Sequence, residues 1–380
     1  MVLNGALFLL FCAAARAAAA SGGDGPLLNG NFEHKPNRCQ MNGTRVMRAH
    51  AIPYWTVTGF VEYIESGTMQ GDMVLAVPEG KHAVRLGIES SVQHELRVTR
   101  GKYYSITFSA ARTCAQDEKV NVSIVPGDPP GELPIQTVYT SSGWDSYSWA
   151  FQATQDVVSF VIHHGDDQVD DPACGPIIDA VAIRTLNDDP PQDASSSNML
   201  KNGDFEEGPY ITPGSPWGVL VPPMDEDDVS PLPGWMIMSD TKVVKYIDSE
   251  HFRVPHGSRA VELVAGLEVA LVQEVDTVPG SSCRLEFSVG DAANGCVASP
   301  MRLQVATTGG SKSVDYSSTG TGGYARDALD FTAEGTRTRV VFYSAGYHTT
   351  SDGTGTLCGP VVDDVSLVCV PQPHARRLLR

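Results

Sequence analysis

The sequence predicts an all-β protein built as two tandem jelly-roll β-sandwiches. Three observations lead there. Gly and Pro together (37 and 25 residues) make about one residue in six, a proportion that suits short strands and frequent turns better than a helical bundle. Apolar residues alternate over short runs, and no long stretch has helical period. The chain is also written twice, at about 160 residues per copy, which is the size of one sandwich.

The strands are legible in order. Tyr104, Ile106 and Phe108 alternate with Ser105, Thr107 and Ser109. Val157-Val158-Ser159-Phe160-Val161-Ile162 and Val340-Val341-Phe342-Tyr343 read as buried strands. Leu285, Phe287 and Val289 alternate with Glu286 and Ser288, and Met301, Leu303 and Val305 with Arg302 and Gln304.

The copies share five landmarks in the same order. Asn29-Gly30-Asn31-Phe32-Glu33 is answered by Asn202-Gly203-Asp204-Phe205-Glu206. IPYWTVTGFVEYI from Ile52 is answered by LPGWMIMSDTKVVKYI from Leu232, and GKHAVRLG from Gly80 by GSRAVELV from Gly257. GKYYSITFSAARTC, ending at Cys114, matches GSSCRLEFSVGDAANGC, ending at Cys296. Cys174-Gly175-Pro176-Ile177-Ile178-Asp179 matches Cys358-Gly359-Pro360-Val361-Val362-Asp363. The slowly drifting offset means two copies of one domain with loop insertions. The Asp-, Pro- and Ser-rich stretch 187–198 has no apolar stripe and reads as a surface linker. The expected division is a leader over 1–20, sandwiches over 21–186 and 199–370, and a tail over 371–380.

Leu3 to Ala15 is an apolar run, with small residues following up to Ala20. This is the pattern of a secretory signal cleaved before Ser21, although no Lys or Arg precedes the run and Arg16 interrupts its end. The run is short for a membrane span. The basic end PQPHARRLLR is not a lipid-anchor signal. Secretion makes Asn42-Gly43-Thr44 and Asn121-Val122-Ser123 glycosylation sequons. Asn121 is the better candidate, because Val120, Val122 and Ile124 alternate around it. Secretion also permits disulfides. Cys114 with Cys174, and Cys296 with Cys358, stand at equivalent places in the repeat and are expected to pair. Cys283 and Cys369 make a plausible third bridge, which leaves Cys39 free or intermolecular. The alternative is that these last three are buried thiols.

The net charge of −18 argues against nucleic acid, whose nonspecific recognition uses clustered Lys and Arg. It also repels a free polyanionic glycan at long range, unless calcium or local basic residues offset it, and it favours a neutral glycan or a basic protein. Glu33 with Asp179, and Glu206 with Asp363, lie on first and last strands that commonly sit side by side. Each pair offers oxygens to a structural calcium; the alternative is a hydrogen-bonded carboxylate bracing the strand ends.

The opening Asn-Gly-Asp-Phe-Glu and closing Asp-Asp-Val-Ser-Leu resemble the ends of carbohydrate-binding modules with the galactose-binding-like fold. Over about Leu27 to Val368 the chain resembles the plant cell-wall DUF-642 family. The residues that carry this include IPYW at Ile52, YYSITFSAARTCAQDE at Tyr103, QTVYTSSGWD at Gln136, DPACGPIIDAVAI at Asp171, LKNGDFEEGPY at Leu200, VKYIDSEHFRVP at Val244 and CGPVVDDV at Cys358. The resemblance implies tandem galactose-binding-like domains, secretion to the cell wall and no catalysis. It further implies association with wall polysaccharide (cellulose, hemicellulose or pectin) and with pectin methylesterase. The family's cysteines match Cys114, Cys174, Cys296 and Cys358.

A sugar site needs an aromatic face flanked by polar groups. Trp55 and Trp235 are equivalent in the repeat and read as core. Trp144, in Ser141-Ser142-Gly143-Trp144-Asp145, has loop-like polar company and no obvious counterpart in the second copy. Tyr147 and Trp149 follow at alternate positions, as sugar ligands or as a strand face. His163 and His164 point to opposite faces of a strand and so cannot share a metal. Asp225-Glu226-Asp227-Asp228 is an acidic loop, a contact for a basic partner or simply solvated. No nucleophile elbow or phosphate loop is present. The expected function is non-catalytic polysaccharide binding with modulation of pectin methylesterase. A pure protein-interaction regulator is the alternative, and a glycoside hydrolase the remote one.

Overall fold

The computed structural model describes residues 20–21, 24–114, 118–140, 142–165, 174–187, 197–224 and 228–371. The expected leader apart from Ala20, most of the linker, Asp225 to Asp227 and nearly all of the tail lie outside the described residues.

The protein is all-β, with two sandwiches that correspond strand for strand. In the first copy one sheet runs Trp55–Thr58, Ser90–Arg97, Val157–His164, Glu118–Val125, Gly131–Ile135. The facing sheet runs Asp145–Gln152, Tyr103–Ala111, Ile177–Leu186, His82–Leu86, Val61–Glu65. In the second copy the sheets are Met236–Met238, Ala270–Asp276, Arg337–Ser344, Val297–Thr307, Gly310–Thr319, and Gly323–Thr332, Ser282–Asp291, Val361–Val370, Arg259–Glu262, Val244–Asp248. Alternation places every second residue in a core. Val158, Phe160 and Ile162 face Ile106, Phe108 and Phe151, all 1% exposed or less. Trp55 and Trp235 are each 1% exposed at the centre of their copies.

Each copy is closed by the same device. Asn29 and Phe32 have φ of 54° and 52°, and Asn202 and Phe205 have 47° and 52°. Left-handed backbone of this kind costs a non-glycine residue about 1–3 kcal/mol, and local contacts offset it. Asn29 Oδ1 accepts from the His34 N–H (2.8 Å) and Asn202 Oδ1 from the Glu207 N–H (3.1 Å). The buried indoles donate to the turn carbonyls, Trp55 Nε1 to Asn29 O and Trp235 Nε1 to Asn202 O, both at 2.9 Å. Phe32 and Phe205 are fully buried, each contributing about 1.5–3 kcal/mol. The turn lies so close to the last strand that a β-carbon on Gly30 would stand 2.2 Å from Val181 O, and one on Gly203 2.0 Å from Val365 O. That last strand carries a bulge in both copies, marked by register shifts at Thr107/Ser109 and Glu286/Ser288. Ala180 and Asp364, at φ 50° and 49°, turn the chain there.

Disulfides join Cys114 to Cys174 and Cys296 to Cys358, with Cα separations of 5.6 and 5.9 Å. The third bridge joins Cys283 to Cys369, direct cross-strand partners. Cys39 is disulfide-bonded as well, so it is not the free thiol that was one of its two expected states.

The two copies share one fourteen-stranded sheet. Val219–Val221 pairs with Val244–Asp248 on one side and runs parallel to Asp145–Gln152 on the other, Tyr147 opposite Leu220. Directly paired side chains point the same way. Leu220 therefore joins the first copy's core, while Val219 and Val221 enter the second's. Val243 and Val264 also pack into the first core. Three charges are sealed near this seam. Lys245 Nζ lies 3.5 Å from Glu262 Oε2, and the two side chains are 4% and 0% exposed. Asp145, 0% exposed, feels the same lysine.

Gly175 and Gly359 provide a test of the closure. A β-carbon there would meet Leu86 O at 1.7 Å or Leu263 O at 1.9 Å. We expect G175A or G359A to cost about 3 kcal/mol or more, read as a fall in Tm of roughly 6–12 °C. G346A, where nothing lies within 4 Å, should leave Tm unchanged; equal effects at all three would refute the packing argument.

A pH dependence follows from the buried acids. Burial raises Asp363 to about 8, against the N–H bonds it accepts from His256 and Asp364. Burial likewise raises Asp145 to about 6, with Lys245 pulling the other way. Unfolded aspartate titrates near 3.9, so both groups bind more protons folded than unfolded. Their contribution is present at low pH and is lost as pH climbs from about 4 towards about 8. Burial also pushes Glu33 up, but bonds from Lys81 and His82 outweigh it and hold the group low; its contribution is therefore full above the ordinary carboxylate range, is lost only below it, and does not change between pH 5 and 8. Thermal melts should give a higher Tm at pH 5 than at pH 8, and a rise in Tm with pH would contradict the burial of these acids.

Candidate carbohydrate site

Glu33 and Asp179 come together at the end of the first sandwich, and Glu206 and Asp363 at the end of the second. Their oxygens serve as braces. Glu33 Oε1 accepts the Lys81 and His82 N–H groups, and Glu206 Oε1 those of Ser258 and Arg259. Asp179 Oδ2 takes the Glu79 N–H at 2.8 Å, and Asp363 Oδ2 the His256 N–H at 2.7 Å. Gly80 and Gly257 (φ 68° and 59°) let the turn close over the glutamate, since a β-carbon there would meet Glu Oε1 at 2.4 and 2.1 Å. These residues do not fit calcium. N–H dipoles already point at each carboxylate, and among the described residues no group of three or more His, Cys, Asp or Glu gathers around a common point. The expected calcium pairs are replaced by bracing carboxylates.

The expected aromatic trio divides. Tyr147 is 1% exposed, packs 6.2 Å from Phe108 and accepts the Gln136 N–H, so it is core rather than ligand surface. The period of two that separates it from Trp149 sets both on the inward face. Trp149 is half-buried at the margin of that face, its ring over Gly131. It lines a slot of about 200 Å³ with Pro130, Pro222 and Pro223.

Trp144 differs because it precedes the strand. Its half-buried ring rests on a small cluster behind the sheet, formed by Ile64, Leu75, Ala83, Ala111 and Ile177. Trp217, from the second copy, stands over it with ring centroids 6.4 Å apart and planes at 83°. The two indoles border a cleft of about 170 Å³ lined by Glu79, Ser109, Ser146, Thr212 and Ser215. Ser109 and Ser146 bond each other at 3.0 Å, leaving further lone pairs for a polar ligand. Trp217 had no repeat partner to draw attention to it; the Pro- and Gly-rich insertion that carries it, Pro213-Gly214-Ser215-Pro216, is its only sequence signal. A larger cavity of about 540 Å³ lies further along the seam. Its walls mix apolar side chains such as Leu186, Met224 and Val272 with Gln152, Gln273 and the Glu274–Arg339 ion pair, and its indole, Trp235, is 1% exposed.

Other singled-out residues have plain places. His164 is buried with Nδ1 3.0 Å from Gly87 O, while His163 lies 3.7 Å from Glu89, so the two do face apart. Asn42 is exposed, and Asn121 is half-buried on the outward side of its strand. No helix among the described residues is long and apolar enough to cross a membrane.

Comparison with known proteins is consistent over the whole length. The chain is 55% identical to the Arabidopsis thaliana protein DUF642 L-galactono-1,4-lactone-responsive gene 2, covering 96% of this chain and 98% of that one. It is 45% identical to Arabidopsis protein TEEBE, over 90% of each. Among solved structures, the CBM22-1-CBM22-2 tandem of Paenibacillus barcinonensis Xyn10C covers 93% of this chain and 100% of that one, at 13% identity and a TM-score of 0.28, too distant for any residue to be transferred. The family model described as "Protein of unknown function (DUF642)" matches residues 25–184 and again 198–368. On these two matches and its relatives, the chain belongs to the DUF642 family.

Proposed function

We propose that this chain is a secreted, non-catalytic plant cell-wall protein that binds a neutral polysaccharide in the cleft between Trp144 and Trp217. The observation that carries this reading is the pair of indoles, one from each copy, set over a floor of hydroxyls. Stacked C–H faces and hydroxyl hydrogen bonds are what a sugar ring requires. A neutral glycan suits the site, because the net charge is −18 and the one ionisable group lining the cleft is Glu79. Three disulfides suit an oxidising compartment.

Glycoside hydrolysis has little support. Asp179 and Asp363 have the raised pKa of a general acid, but both are 0% exposed and covered by N–H donors. A glycosidic oxygen has no path to them. Modulation of pectin methylesterase rests on the acidity, which draws a basic partner with a salt-sensitive on-rate.

Calorimetric titration with cellohexaose tests the cleft. W217A should bind at least tenfold more weakly, a change of about 1.4 kcal/mol, with Tm unchanged. Wild-type affinity in both W217A and W144A removes the site. Titration against a basic pectin methylesterase should change its rate more at 50 than at 300 mM NaCl. A flat response at both salts removes the partner.

A further inference from the structure

The register of the two copies supplies a counterpart to Trp144 that the sequence comparison had left without one. Ser109 pairs with Asp179 as Ser288 pairs with Asp363. Ala110 faces Asp145 as Val289 faces Ala325. The residue before Asp145 is Trp144, and the residue before Ala325 is Tyr324. Both aromatics follow a glycine of positive φ, Gly143 at 86° and Gly323 at 117°.

Their surroundings differ in two ways. Trp144 is half-covered by Trp217, whereas Tyr324 is 55% exposed. The charged side chains also differ. His256 stands where the first copy has Glu79, each N–H donating to the equivalent aspartate. Arg326 stands where the first copy has Ser146, and pairs with Asp364. Arg253 is exposed, and its stem crosses the chain just before Tyr324, since a β-carbon on Gly322 would lie 2.5 Å from Arg253 Cγ. Ser288, paired in the sheet with Arg326, is 1% exposed and its hydroxyl has no hydrogen-bond partner.

We propose that Tyr324, Arg253, His256 and Arg326 form a second saccharide site, on the second copy, that takes a sugar bearing a carboxylate. An exposed ring supplies the stacking face. Guanidinium groups recognise carboxylate through paired N–H donors, and the exposed Arg253, whose stem lies against the backbone two residues before Tyr324, offers one. Screening shortens the reach of the overall negative charge to about 10 Å at 0.1 M salt, so the guanidinium of Arg253 governs the contact. The inference rests on the reading of the chain as a glycan binder and adds a second site of different charge preference.

The test is calorimetry of the full chain with hexagalacturonate and with cellohexaose, both in EDTA to exclude calcium bridging. Hexagalacturonate should bind wild type and W217A alike, and bind Y324A and R253E at least tenfold more weakly. Its affinity should fall between 50 and 300 mM NaCl. Both substitutions are at exposed positions, and unchanged thermal melts will confirm that they fold. Equal hexagalacturonate affinity in wild type, Y324A and R253E overturns the inference, as does loss of that affinity in W217A. If cellohexaose binds in a Trp217-dependent way and hexagalacturonate does not bind, only the second site fails. If neither binds, both readings fail.

Discussion

The fold depends on one close contact, the seating of the Asn-Gly-x-Phe-Glu turn against the last strand of the same copy. Gly30 and Gly203 press on carbonyls of that strand with no room for a β-carbon. The turn accepts left-handed backbone at Asn and at Phe to get there. What holds it is a converging set of groups from distant parts of the chain. The Trp indole and the Tyr hydroxyl donate to two turn carbonyls, and the glutamate accepts N–H groups from the next hairpin. That hairpin in turn offers an N–H to the buried aspartate of the last strand. Opening turn, hairpin and last strand are thus fixed against one another before any disulfide is counted. The two bridges repeated in both copies, Cys114–Cys174 and Cys296–Cys358, then fasten the segment that leads into the last strand.

The same sheet position is used differently in each copy. On the first copy the outward residues around the Tyr103 strand are small hydroxyls, Ser105, Thr107, Ser109, Ser146 and Ser148, all buried. Ser148 donates to Leu220 O of the second copy, and Ser109 and Ser146 lie under the Thr212–Trp217 segment. The equivalent outward face of the second copy carries Arg284–Glu286, Arg284–Asp330 and Arg326–Asp364 ion pairs. Exposed pairs of this kind add at most about 1 kcal/mol each. Their physical consequence is solvation. A face of small residues invites a following segment to cover it, and a face of charges does not, so the strand Gly323–Thr332 ends the shared sheet.

Much of this was legible in the residues themselves. Alternation located the strands, and the repeat identified Trp55 and Trp235 as core and paired Cys114 with Cys174 and Cys296 with Cys358. Two kinds of information were out of reach. Spacing brought Glu33 near Asp179 but could not show that backbone N–H groups already occupy their oxygens, so calcium seemed to fit. A period of two put Tyr147 and Trp149 on one face but could not say which way that face pointed. The fused sheet was hidden for a further reason. Val219–Val221 is only three residues long and lies in an insertion with no repeat partner. Tyr324 was accessible in principle, because Gly143-Trp144 and Gly323-Tyr324 are both glycine–aromatic steps ahead of a strand. Only cross-strand register aligns them, since the loops before them differ.

The fused sheet also determines how two glycan sites on this chain would act together. A flexible linker spreads its ends over many distances, and the second binding event then gains from a broad, dilute effective concentration. Here the copies do not hang on 187–198 alone. Leu220, Val243 and Val264 complete the first core, and Lys245 is sealed at the seam between Glu262 and the field of Asp145. Separating the copies would expose that apolar surface and leave buried charges without partners, a cost of several kcal/mol. The Trp144 cleft and the Tyr324 face therefore sit at the starts of two strands of one continuous sheet, at a fixed separation. Such a spacer favours polymers whose own spacing matches it and gives little to those that do not. The protein's selectivity would then lie in the distance between its two sites as much as in the chemistry of either one.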